Sequence, residues 1–146
     1  METKDIQLIS LYRYFIWADR LRGHFDKAVL SSKNTKHSIE RMWADDYGLF
    51  MAHWYGSLYV VVEGWKRTNL KNPTIDKLLE SPNVYLLKQF RHGTFHFQEK
   101  YFDQRFVRFW ENSDETVGWV RQLNNAFNRF FLDRMGSGID PSLQNE

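Results

Sequence analysis

The sequence contains no cysteine, which removes disulfides, thiolate catalysis and cysteine-ligated zinc together. Proline is scarce: Pro73, Pro82 and Pro141 stand where an element start or a tail suits them. Long hydrophobic runs are missing too. The most apolar stretch, "LYVVV" at 58–62, is far short of the ~20 residues a membrane helix needs. There is no repeat, low-complexity tract or composition break to mark a second domain. Charge of one sign is not in large excess. The formal net charge of +2 neither demands nor excludes a nucleic-acid partner. The opening "METKDIQLIS" is charged and has no apolar core, so it does not read as a signal peptide. A soluble, cytoplasmic protein is expected.

What is present is a chain of 146 residues, long enough for a sizeable core. Aromatics make up 17% of it, more than such a core needs, so some are expected to line a cleft or an interface. The apolar period is helical nearly throughout. A first helix is expected from Lys4 to Leu30, with Ile6, Ile9, Tyr12 or Arg13, Ile16 and Leu21 at helical spacing, then a polar connection, "SSKNTKHS", at 31–38. Asp45 and Asp46 suit the start of a second helix reaching Arg67, with Phe50, Trp54, Leu58, Val62 and Trp65 along one side. Gly48, Ala52, Gly56, Val60 and Gly64 recur every four residues. That row of little side-chain bulk predicts close approach of another helix, within the subunit or from a partner.

A short helical turn is expected after Pro73. Ser81 as N-cap and Pro82 at the first position would then open a helix reaching Tyr101. "FDQRFVRFWENS" reads as a loop with a short helix. Asn112 and Glu115 have capping-box spacing before a last helix that carries Val117, Val120, Leu123, Phe127, Phe130, Phe131 and Met135 and ends at Gly136. The fold expected is all-α: an antiparallel bundle of four main helices with a short extra helix. It forms one domain over 1–136, followed by a loosely ordered tail at 137–146.

The chemistry concentrates in "RHGTFH", residues 91–96. Lys88, His92, His96 and Lys100 recur every four residues as a basic stripe if the helix is unbroken. Leu87, Phe90, Thr94 and Phe97 would then keep the buried side. From Lys88 to Arg108 five basic residues face two acidic ones. Arginine offers a fork of donors matched to phosphate oxygens, and histidine moves a proton near neutral pH. Together they suffice to cut RNA through the 2′-hydroxyl without a metal.

Arg91, a polar residue after it, three more residues and then His96 resemble the R-x4–6-H motif of the HEPN superfamily. These are small all-α proteins, many of them metal-independent ribonucleases of toxin–antitoxin and defence systems. The resemblance implies that Arg91 binds and polarises the scissile phosphate, that His96 is general base or acid, and that His92 orients them. It implies no cofactor and no metal. It also implies RNA as substrate, with Lys88, Lys100 and Arg105 along its backbone, a homodimer with a composite site, and an antitoxin or regulatory partner. Gln98 stands where some toxin members carry a tyrosine that is modified, which argues against that subtype.

Two other readings compete. His92 and His96 have the spacing of two metal ligands, and His53 would be a third, in faint resemblance to DinB-like bundles with three histidines. Or the basic stripe docks nucleic acid or an acidic partner without cutting, with Tyr85, Phe95, Tyr101 and Phe102 as stacking rings, although aromatics at helical spacing are more often core. Glu63 would be a partner of Arg91 or His96 if their helices face each other; its plainer reading is a surface carboxylate.

Overall fold

A computed structural model describes residues 2–32, 45–111 and 113–136. The described residues are all-α: six helices and no strand. They are α1 (Thr3–Ser32), α2 (Asp46–Arg67), α3 (Pro73–Leu78), α4 (Asn83–Phe95), α5 (Gln104–Glu111) and α6 (Ser113–Met135). No helix among them is long and apolar enough to cross a membrane. The first helix continues through Ser31 and Ser32, where a connection was expected. The remainder of that connection, Asn112 of the expected capping box and the tail at 137–146 lie outside the described residues.

The helix starts follow their side chains. Asn72 caps α3, its Oδ1 accepting from the Thr74 and Ile75 N–H groups at 3.0 Å each, with Pro73 just inside the helix. α4 starts one residue later than expected, with Pro82 rather than Ser81 in the cap position, although Ser81 Oγ still accepts from Asn83 N–H at 3.1 Å. At the far end of α2, Asn69 adopts a positive φ of 53°, the left-handed conformation that asparagine tolerates just past a helix. Gly136 follows α6 as expected and donates to the Leu132 carbonyl at 2.8 Å, but its φ is not positive.

Helix α2 is the hub, packing on α1 along one side and on α4 along another, while α6 closes the bundle against α1, α3 and α5. Trp54, Tyr55, Leu58, Val62, Leu87, Phe90, Phe109, Leu123, Phe127 and Phe131 are fully buried, and their rings meet at centroid distances near 5 Å. The small-residue row of α2 does permit close approach, by two different neighbours within the chain. A Cβ on Gly64 would lie 2.5 Å from Leu11 Cδ1 of α1, and one on Gly56 would lie 2.5 Å from the Phe95 ring of α4. Eight residues at 3.6 per turn carry the row about 80° around the helix, from one partner to the other.

The apolar set expected on α1 is corrected. Leu11, Phe15, Ala18 and Phe25 enter the core, whereas Ile6 and Ile9 are exposed. α1 carries apolar residues on opposite sides, and spacing alone could not tell which side turns inward. Its inner polar groups are wired to α6. Trp54 Nε1 donates to Asn124 Oδ1 (3.0 Å), Asn124 Nδ2 donates to Asp19 Oδ1 (3.0 Å), Arg22 joins Asp19 (2.7 Å) to Asp26 (2.8 Å), and Arg121 reaches Asp26 at 2.6 Å.

Candidate functional site

Helix α4 stops at Phe95 rather than Tyr101, and the residues of the motif explain the stop. Gly93 and β-branched Thr94 have weak helix propensity. Thr94 Oγ1 donates back to the Phe90 carbonyl at 3.0 Å, and His96 turns extended at φ −121°, ψ 129°. Gln98 Nε2 then donates to the His96 carbonyl (2.8 Å), and Arg105 Nη1 donates to Gln98 Oε1 (3.1 Å). The chain thereby folds back towards α5, and Gln98 has a structural task. Gly93 is required where α5 crosses: a Cβ there would meet the Phe106 ring at 2.9 Å and Arg105 Cβ at 3.3 Å.

The stop breaks the four-residue stripe. Lys88 and His92 ride on α4, and His96 still donates its N–H to the His92 carbonyl (3.1 Å), but Lys100 belongs to the turn beyond. Phe97, expected inside, is exposed to 92%, and Phe95 is exposed as well. Tyr85, Tyr101 and Phe102 are exposed as well, so this corner has several large rings facing outward.

Within it the structure brings the two histidines together, their ring centroids 4.5 Å apart with planes at 33°. Arg91, next to His92 in the chain, is half-buried and adds a charge effect on His92. Its Nη2 pairs with Glu63 Oε1 at 3.0 Å, and its guanidinium lies 5.0 Å over the Tyr59 ring. Tyr59 and Glu63 are four residues apart, on one face of α2. Glu63 is therefore a partner of Arg91, not a bare surface carboxylate. Tyr59 was not anticipated, although its i, i+4 relation to Glu63 was the available signal.

Arg105, expected on an RNA backbone, is held by Asp103 and Gln98. The Arg105 backbone N–H, ahead of its side chain, keeps the Asp103 carboxyl below the ordinary carboxylate range despite some desolvation. Lys88 and Lys100 are exposed, and Lys100 adds a smaller charge effect on Asp103.

The His92 imidazole titrates below its usual range. Partial desolvation is the largest cause, followed by the positive charges of His96, Arg105 and Arg91, which outweigh the opposing pull of Asp103. A pair of close imidazoles resists double protonation, which acts on His92 in the same direction. Such a corner can hold an anion through its arginines and lysines and exchange a proton through its histidines.

His53 does not join them. Its Nδ1 donates to the Leu49 carbonyl at 2.8 Å, and its ring stands edge-on to Phe95 at 5.8 Å. Among the described residues no group of three His, Cys, Asp or Glu side chains is placed to hold a metal ion, so the His53, His92 and His96 trio is not assembled. A cavity of about 600 Å³ between α3 and α6, lined in part by Pro73, Lys77, Gln122 and Arg129, shares no residue with the motif.

Comparison with known proteins gives no match to any family model, curated protein or solved structure.

Proposed function

We propose that the chain is a metal-independent endoribonuclease of HEPN type, acting at the α4–α5 corner. The observation that carries this reading is the approach of the His92 and His96 rings to 4.5 Å, in a segment whose Arg91 is fixed by Glu63 and Tyr59 and acts on His92 through its charge. Arg91 binds the scissile phosphate and polarises it, with Lys88 and Lys100 drawing in the flanking backbone. One imidazole takes the proton from the 2′-hydroxyl as its oxygen attacks phosphorus. The other gives a proton to the departing 5′-oxygen. The bond to the 5′-oxygen breaks, and the products are a 2′,3′-cyclic phosphate and a free 5′-hydroxyl. His92, disfavoured as a cation, suits the base; His96 then supplies the proton.

A second reading has an observation of its own. Phe95, Phe97, Tyr101 and Phe102 are all exposed beside the cationic groups, an arrangement suited to stacking unpaired bases without cutting them.

Cleavage of a mixed single-stranded RNA in EDTA decides between the two readings. The ribonuclease reading predicts fragments with cyclic phosphate ends, and loss of cleavage in folded Arg91→Ala and His96→Ala variants. RNA bound but intact would move the assignment to a binding module. Cleavage that persists in both variants would remove the site from this corner.

A further inference from the structure

The outer face of α1 carries a second exposed apolar surface, and it is ordered. At about 100° per residue, Ile6, Ile9, Arg13 and Trp17 fall within about 80° of one another, opposite the buried Leu11, Phe15 and Ala18. Ile6, Ile9 and Trp17 are exposed to 52, 44 and 53%. Arg13 lies over the Tyr14 and Trp17 rings at 5.2 and 5.5 Å, so its stem and guanidinium cover apolar surface rather than interrupting it. Ile16 widens the face towards exposed Leu132 of α6, with which it lines a cavity of about 160 Å³.

The charges at the ends of this stripe decide what covers it. Glu2 and Asp5 stand at its start and Arg20 at its end, all exposed, with Glu2 and Arg20 on the same side of the seam. Two such helices laid antiparallel about a two-fold axis near residue 11 place Ile6 against the partner copy's α1 near position 17, and its own Trp17 near the partner's position 6. The same register sets the acidic start of each helix beside the basic end of the other. Apolar matching and the end charges agree on this register, which brings the two exposed Arg13 side chains near the two-fold axis, each over its own Tyr14 and Trp17 rings. A parallel pair would instead oppose like charges at both ends.

We infer that the outer face of α1 is a homodimer interface, formed by an antiparallel pairing with α1 of a second copy of this chain. This does not depend on the ribonuclease reading. α1 and the motif-bearing α4 pack on α2 from different sides, so the dimer leaves each motif to its own chain. The stripe is about 27 Å long and one helix wide, at the low end of specific interfaces, so the dimer is expected to be concentration-dependent.

Sedimentation velocity of the full chain over a concentration series tests the inference. The wild-type chain should pass from monomer to dimer, and Trp17→Ala should weaken the dimer at least about ten-fold. Arg20→Glu should weaken it, and adding Glu2→Lys and Asp5→Lys to that variant should restore it, a rescue that no folding defect imitates. A chain that stays monomeric throughout would overturn the proposal. So would a dimer indifferent to Trp17→Ala and Arg20→Glu but lost in Phe97→Ser, which would put the two-fold axis at the motif.

Discussion

Two arginines of this protein have nearly the same immediate surroundings and opposite contexts. Arg121 pairs with Asp26 at 2.6 Å and lies 5.5 Å from the Trp54 ring; Arg91 pairs with Glu63 at 3.0 Å and lies 5.0 Å from the Tyr59 ring. From Arg121 the polar chain runs inward, through Asp26, Arg22, Asp19 and Asn124 to the buried Trp54 indole. From Arg91 the neighbouring chemistry runs outward, to two histidines and a set of exposed rings. A carboxylate and an aromatic ring around an arginine do not say what the arginine is for. The next neighbours do.

The contrast breaks most readily at its inner end. Asn124 is 1% exposed and bridges the Trp54 N–H to Asp19, so Asn124→Leu leaves the buried Trp54 N–H without a partner. It should cost about 2–3 kcal/mol in denaturant unfolding, without loss of RNA cleavage by the folded fraction. Next in size are the two glycines of α2. Gly64→Ala must displace Leu11, itself 4% exposed, and should cost about 1–3 kcal/mol. Gly56→Ala meets the Phe95 ring first, which is 53% exposed and can swing into solvent, so under about 1 kcal/mol is expected. Equal losses at the two positions would mean that Phe95 is as fixed as Leu11.

Removing Arg91 should barely register in stability. Its pair with Glu63 is partly exposed, and Arg91→Ala should cost about 0.2–1 kcal/mol while abolishing cleavage. A loss as large as that of Asn124→Leu would recast Arg91 as part of the scaffold.

The smallest effects are those of pH, and they differ in window. At Asp26, burial would raise the carboxyl, but Arg121 and Arg22 outweigh it and hold it below the ordinary value. Its contribution to stability is present above the unfolded carboxylate value and is lost as pH falls through the lower folded one. Asp26→Asn should therefore flatten the acid limb of a stability curve. At His92 the proton is disfavoured in the folded chain, so stability declines as pH falls through the ordinary imidazole range towards the lowered value. Resolved imidazole signals followed by NMR should show His92 protonating at lower pH than an ordinary imidazole, and moving back towards its usual value in His96→Ala.

Much of the bundle was legible because burial and turn residues leave local traces: the apolar side of α2, the short helix at Pro73, a helix start within a residue of Pro82, and the run from Val120 to Phe131 in α6. The end of α4 was not. It depends on Gln98 meeting the His96 carbonyl and on Phe106 lying against Gly93, contacts between segments that no local period records. That early end is also why Phe97 faces outward and Lys100 leaves the stripe. The outer stripe of α1 was misread for a related reason, since Ile6 and Ile9 have helical spacing whichever side the helix buries. At the candidate site, Arg91, His92 and His96 were visible as residues, whereas the hold of Glu63 and Tyr59 on Arg91 is a tertiary fact.

The most direct measurement puts both arginines through one pair of assays. Arg91→Ala, His96→Ala and Arg121→Ala would each be unfolded in denaturant and tested for RNA cleavage in EDTA. The account predicts near-native stability with no cleavage for the first two, and lowered stability with cleavage retained by the folded fraction for the third. Cleavage lost with Arg121 and kept without Arg91 would contradict it.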